Sequence, residues 1–436
     1  MRQGITASVI GAGLAGCEAA YQLAERGISV RLVEMKPKRY QPAHKLDTYA
    51  ELVCSNSFRA ANVENAVGLL KQELRTLGSL IMQCADETAV PAGGALAVDR
   101  LGFSELVTKR IKAHPLIKVV CEEALTIPNS PAIIATGPLT DGSLLEEIER
   151  VTGSTLHFHD AAAPIVTYES IDMSKAFVSS RYDKGADYIN CPMSMEEYYT
   201  FVRALLQAER APLHEFETPR VFEGCMPVEI MAGRGDLTLA YGPMKPVGIT
   251  DPHTGKRPFA VVQLRRDNAE GSLYNMVGFQ TNLKFGEQKR VFRLIPGLEN
   301  AEFVRYGVMH RNSYLNSPGM LTPQYMSASH SGLFFAGQLT GVEGYIESAS
   351  SGFVAGVSLA RLLNGQEPVD FTRRTALGSL AHYVAEYNGS DFQPMNVTFG
   401  IMEQLDNAPR NKKERGAAYA ERSLAHIKSL LSGGNI

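Results

Sequence analysis

The chain has 436 residues, enough for two or three domains, and its 44% hydrophobic and 20% charged content excludes a largely disordered protein. Its 43 basic and 46 acidic residues leave a net charge of −3, so no global positive field advertises a nucleic-acid partner, although a local patch stays open. The cysteines at 17, 54, 84, 121, 191 and 225 show neither C-x-x-C nor zinc-ligand spacing, and no apolar run approaches the roughly 18 residues of a membrane helix.

Reduced thiols in a cytoplasmic protein, with no metal site and no membrane contact, are the expectation. Oligomeric state is not legible.

Thr6 to Ile10 is a run of small and β-branched residues, as a buried parallel strand requires. Gly11-Ala12-Gly13-Leu14-Ala15-Gly16 follows, and Cys17 to Arg26 reads as a helix stopped by Gly27. Ile28 to Val33 is a second strand, with Glu34 at its end. Strand, G-x-G-x-x-G, helix, strand and acid form a dinucleotide fingerprint. Gly11 permits the tight turn, Gly13 lets a pyrophosphate approach the helix N-terminus, and Gly16 lets helix and strand pack closely. Glu34 would accept ribose hydroxyls. Leu14-Ala15-Gly16-Cys17 also resembles a lipoprotein cleavage box, but only Arg2 precedes it with charge and three glycines break the apolar stretch.

Cys54 stands in Leu-Val-Cys-Ser-Asn-Ser-Phe-Arg, where polar residues and an arginine follow the thiol. Cys17, Cys84 and Cys121 lie in helix- or strand-like segments and read as core, while Cys191 before Pro192 is ambiguous. Ile133 to Gly137 is a short strand ending in Thr-Gly. From about 156 to 304 the texture turns alternating and aromatic, as in Pro164 to Tyr168, Arg220 to Phe222, Phe259 to Leu264 and Leu273 to Phe279. Cys225 sits there in a turn-like Glu-Gly-Cys-Met-Pro frame. Either Cys54 or Cys225 suits a reactive thiol, which needs partial exposure and a positive neighbour; a buried small hydrophobe is the bland alternative for each.

Between 245 and 311 there are eleven basic and six acidic residues, with Tyr274, Phe279, Phe285, Phe292 and Tyr306 interleaved. Basic surface with aromatic platforms suits loop or single-stranded RNA; a solvated basic face is the alternative. Charge reversal at Arg265 and Arg266 is expected to weaken RNA binding and flatten its salt dependence. A second basic run lies at Arg410, Lys412, Lys413 and Arg415.

Near the C-terminus, Leu333 to Phe335 is an apolar strand leading into Ala336-Gly337-Gln338. Gly341, Gly344, Gly352 and Gly356 follow, and Ile346 to Leu363 reads as a helix of small residues. A second glycine-rich strand–turn–helix, together with the Thr-Gly strand at 133–137, favours FAD over NAD. No second G-x-G-x-x-G exists for a nicotinamide domain. The fold expected is α/β: a Rossmann-like FAD-binding domain of glutathione-reductase type built from 1–155 and 305–436, with an inserted α+β domain at 156–304.

The segments VIGAGLAGCEAA, ELVCSNSFR, RYDKGADYINCPM, FEGCMPVEIMA, YNMVGFQTNLK, EQKRVFRLIPGLENAEFVRYGVMHRN and FFAGQLTGVEGYIESASSGFVAG are long, rare and spread along nearly the whole chain. They resemble the folate- and FAD-dependent tRNA (uracil-5-)-methyltransferases of the TrmFO/Gid family. The resemblance implies C5 methylation of uridine 54 in the tRNA T-loop, with methylenetetrahydrofolate as carbon donor and NADH or NADPH as reductant. It implies Cys225 as nucleophile and Cys54 as its partner, base or alternative thiol. His310, Arg311, Asn312 and Tyr345 then stand on the folate side, with core packing the alternative for His310. Gly137, Gly337, Gln338 and Gly344 join the fingerprint residues around the flavin. The rivals are a GidA-like flavoprotein modifying the tRNA wobble uridine, and a flavin-bound RNA-binding protein without turnover.

Overall fold

The computed structural model describes residues 6–129, 131–153, 155–183, 185–211, 226–434 and 436, with the backbone alone for 158–160, 183, 310 and 311. Five parallel strands lie side by side in the order Leu333–Phe335, Ala132–Ile134, Thr6–Ile10, Ser29–Glu34 and Ile117–Cys121. All but the last are mostly buried, which is why they read as unbroken apolar runs. The far end of the chain thus returns to the sheet that the first residues begin, and the Thr-Gly strand lies between the two glycine-rich units.

Helix Leu14–Glu25 packs against helix Tyr345–Leu363 through their backbones. A Cβ on Gly352 would stand 2.2 Å from the Ala15 carbonyl oxygen, and one on Gly356 would stand 2.8 Å from that of Ala19. Only glycine tolerates that approach. The small-residue texture of the later helix is therefore a packing requirement.

Six antiparallel strands form a second sheet in the order Phe177–Val178, Tyr188–Met193, Ala260–Arg266, Leu273–Met276, Ile165–Thr167 and Phe303–Arg305. Helix Met195–Gln207, started by a Ser194/Glu197 capping box, buries Phe201, Val202 and Leu205 in the same apolar cluster as Ile189, Val262 and Met276. One cluster joins residues between 7 and 148 to residues between 314 and 427; the other spans 166 to 301. A ladder of seven antiparallel pairs, Thr155–Ala161 with Met309–Leu315, carries the chain from one to the other and back. A small sheet of Ser57–Ala60, Ala95–Val98 and Ala89–Val90 follows the Cys54 loop. Arg220 to Phe222 lie outside the described residues.

Candidate active site

A cleft with ≈ 1230 Å³ of empty space, part of it open to solvent, runs along the carboxyl ends of the parallel strands. Ligands of such sheets bind at these ends. Gly11, Ala12, Gly13, Leu14, Ala15, Glu34, Gly137, Gly337 and Gln338 all line it. At Gly11, φ is +96° and a Cβ would meet the Ala135 carbonyl oxygen at 2.5 Å, so the turn admits only glycine. A Cβ at Gly13 would meet nothing within 4 Å. No protein atom demands a glycine there, so the turn leaves its backbone open to close approach by a ligand. Beyond it, helix Leu14–Glu25 presents first-turn N–H groups that have no carbonyl partner within the helix. The Glu34 carboxylate accepts the N–H of Ala12 at 2.8 Å and of Lys36 at 3.0 Å. About two of its four lone-pair sites remain for ribose hydroxyls. These features fit the adenosine diphosphate half of FAD.

Two predicted cofactor residues act through packing instead of lining the cleft. A Cβ on Gly16 would stand 1.8 Å from the Gly11 carbonyl oxygen. Gly344, at φ +111°, precedes helix Tyr345–Leu363, and its Cβ would stand 2.4 Å from Glu347 Oε2. Gln338 lines the cleft with its side-chain amide already donated to Glu343 at 2.8 Å.

Cys54 is half-buried beside this cleft: its neighbours Val53 and Tyr345 line it. The loop from Leu52 to Asn56 has almost no regular structure, so side chains from distant elements hold it. Tyr345 Oη accepts the N–H of Cys54 at 2.7 Å and of Ser55 at 3.0 Å. Arg100 donates to the Leu52 carbonyl and forms a two-pronged pair with Asp267, at 3.0 and 2.8 Å. Arg305 donates to the Val53 carbonyl. Arg265 donates to Ser55 Oγ at 2.6 Å and Asn56 Oδ1 at 3.1 Å. Asn56 in turn donates to the carbonyls of Val98 and Arg266, both at 2.9 Å. The thiol itself points to the Ala161 carbonyl at 3.7 Å. Burial pushes the Tyr345 phenol well up, so it remains a neutral hydroxyl. Burial lowers the Arg265 and Arg305 guanidinium values, with Arg100 adding repulsion at Arg305.

These contacts correct the expectation for Arg265. It is 7% exposed and spent on the Cys54 loop, so it offers no charge to an RNA surface. Arg266 is half-buried, its carbonyl taken by Asn56. Tyr274, Phe279 and Phe292 are likewise core residues. Tyr345 faces the cleft and the thiol loop together. Asn312 is 3% exposed on the strand paired with Thr155–Ala161 and does not line the cleft; next to it, Ser313 N–H donates at 2.7 Å to the carbonyl of cleft-lining Pro138. Cys225 lies outside the described residues, as do the side chains of His310 and Arg311.

Burial pushes the Cys84 thiol up to about 12 and those of Cys17 and Cys191 upward too, so none of the three is a ready nucleophile. Cys121, expected in the core, is half-buried at the sheet edge with its thiol 3.2 Å from the Lys36 carbonyl. Arg100 carried no sequence signal and Arg305 counted only as one charge in the basic stretch, because an arginine that serves a distant loop looks like any other. Among the described residues no cluster of His, Cys, Asp and Glu could hold a metal ion, and no helix is long and apolar enough to cross a membrane.

The profile of the family described as "Glucose inhibited division protein A" matches residues 6–367. A Bacillus licheniformis protein named methylenetetrahydrofolate--tRNA-(uracil-5-)-methyltransferase TrmFO is 58% identical over 427 residues, 98% of each chain. Its namesake in Enterococcus faecalis is 59% identical over 419 residues, 96% of each. The chain belongs to the TrmFO/Gid family. Among solved structures, Aquifex aeolicus GidA in its form II crystal superposes with a TM-score of 0.67 at 17% identity, covering 98% of this chain and 76% of that one. That likeness shows a shared fold.

Proposed function

We propose that the protein methylates C5 of uridine 54 in the tRNA T-loop, using methylenetetrahydrofolate as carbon donor, FAD in the cleft, and NADH or NADPH as reductant. The observation that carries the reading is a half-buried thiol, Cys54, on a loop whose neighbours line a cleft fitted to a dinucleotide. Relatives 58–59% identical over nearly the whole chain bear the name of that activity.

FAD bound in the cleft and reduced by NADH or NADPH would supply the hydride that brings a carbon at the formaldehyde level to methyl. The protein does the rest. The Gly11–Ala15 turn and the following helix N-terminus hold the pyrophosphate, and Glu34 holds the ribose. The Cys225 thiolate adds to uracil C6 and raises electron density at C5. Cys54 accepts the C5 proton or stands as the alternative thiol. Tyr345 fixes the Cys54 backbone through its hydroxyl, and His310 and Arg311 border the folate. The uridine must leave its loop to reach these groups. On this reading 1–155 and 305–436 form the FAD-binding domain, 156–304 is inserted, and the enzyme works in the cytoplasm.

Labelled methylenetetrahydrofolate and unmodified tRNA give the test. The expected product is 5-methyluridine at position 54, lost in Cys225→Ala and Cys54→Ala. Full activity in Cys225→Ala ends the nucleophile assignment, and a purified protein that binds no FAD ends the whole reading. The second reading is a GidA-like modification of the wobble uridine; label at the wobble position would establish it. Flavin without turnover on tRNA would leave the non-catalytic RNA-binding reading.

A further inference from the structure

Four aromatic rings form a column that begins in the core of the second sheet and ends in solvent. Phe292 is fully buried, and Phe303 lies 6.4 Å from it at an interplanar angle of 42°. Phe303 then stacks on Tyr306 at 5.5 Å and 16°, and Tyr306 stacks on Phe285 at 4.8 Å and 17°. Phe285 is 55% exposed. Single exposed apolar side chains are common on protein surfaces. A ring held parallel on a second and third ring is different: its orientation is fixed before anything binds, so a partner pays little to order it.

The column stands next to the candidate active site. It rises from the segment 303–307, whose Arg305 donates to the Val53 carbonyl beside Cys54. Gly307 is locked to helix Phe285–Phe292 by two hydrogen bonds with Gln288, at 2.7 and 2.8 Å. A Cβ on Gly307 would lie 2.7 Å from the carbonyl of Ala162, adjacent in sequence to the Ala161 whose carbonyl faces the Cys54 thiol. The same face of the helix carries positive charge. Lys289 lies one turn beyond Phe285, is exposed, and has no carboxylate partner among the described residues.

We propose that Phe285 is a stacking ledge for a base of the tRNA loop, with Lys289 beside it for a phosphate. A flat π-face with one neighbouring cation is the chemistry of single-stranded nucleic-acid recognition. A protein partner would be served by a broader apolar patch and would gain nothing from the parallel stack. The ledge places a tRNA base near the Cys54 loop. It rests on the tRNA-methylating reading above, which supplies the RNA.

The test is equilibrium binding of an unmodified tRNA transcript to the full-length flavin-loaded protein over a range of salt concentrations. Phe285→Ala is expected to weaken binding roughly tenfold at every salt concentration with an unchanged salt slope, because stacking releases no counterions. Phe285→Tyr is expected to restore the affinity. Lys289→Ala is expected to reduce the slope by about 1. Flavin content and thermal unfolding check that each variant is folded. Wild-type affinity in folded Phe285→Ala overturns the ledge while leaving methylation intact. Altered self-association with unchanged tRNA affinity overturns it in favour of a protein interface. A wild-type chain that binds no tRNA overturns both the ledge and the reading beneath it.

Discussion

Two stretches border the same cleft and are held in opposite ways. The Gly11–Gly16 turn is fixed by missing side chains: backbone approaches backbone, and a Cβ at Gly11 or Gly16 would collide with a carbonyl oxygen. The Leu52–Asn56 loop is fixed by side chains, those of Arg100, Arg265, Arg305 and Tyr345, reaching from four separate elements of the chain. A shape set by glycine resists substitution at the two positions where backbone meets backbone, Gly11 and Gly16. A shape set by converging side chains can be loosened one contact at a time, and the thiol sits on the second kind.

The largest effect belongs to the glycine side. Gly16→Val must push a side chain through the Gly11 carbonyl, costing at least the ~1–3 kcal/mol of overpacking. The purified protein is expected to be colourless and less heat-stable; flavin absorbance and the melting temperature check it. Next comes Cys54→Ala, which leaves the cleft intact. It is expected to retain FAD while methyl transfer falls at least ~100-fold, measured by single-turnover incorporation of label.

Arg265→Ala probes the clamp. It leaves Asn56 Oδ1 buried without its donor, a loss of ~1–3 kcal/mol, and lets the thiol loop shift. Turnover is expected to drop about tenfold, while tRNA affinity and its salt slope stay unchanged, which separates a positioning arginine from a phosphate-binding one. The smallest effect concerns the strand that follows the loop. Lys71 is fully buried and donates to the Phe58 carbonyl at 2.8 Å; burial, then the neighbouring Arg59, pushes its pKa down to about 7. Between pH 7 and the unfolded value of ~10.4 the unfolded chain holds a proton that the folded chain has released, so stability rises with pH across that window. Below pH 7 the cost of the buried charge is present in full. Urea midpoints at pH 7 and 9 are expected to show this rise in the wild type and a smaller one in Lys71→Met.

The contrast also explains what the sequence disclosed. Gly11, Gly13, Gly16 and Glu34 have a fixed spacing because consecutive elements share one turn, so the dinucleotide cleft was readable from residues alone. So was the return of Leu333–Phe335 to the sheet, since its small-residue helix announces close packing. The clamp was not readable. Arg265 counted as one more charge in a basic stretch, because its partners Ser55 and Asn56 lie some two hundred residues away. Cys121 was assigned to the core by its strand, and only the sheet order reveals that the strand is an edge. Alternation and charge describe a face; they do not say which face a neighbouring element covers.

The most direct test is a crystal structure of the flavin-loaded protein, read for the position of the isoalloxazine ring. Convergence of the two stretches predicts the adenine end along Gly11–Ala15 and Glu34, and the ring in contact with Tyr345 and the Cys54 sulfur. A ring separated from that sulfur by packed side chains would contradict it.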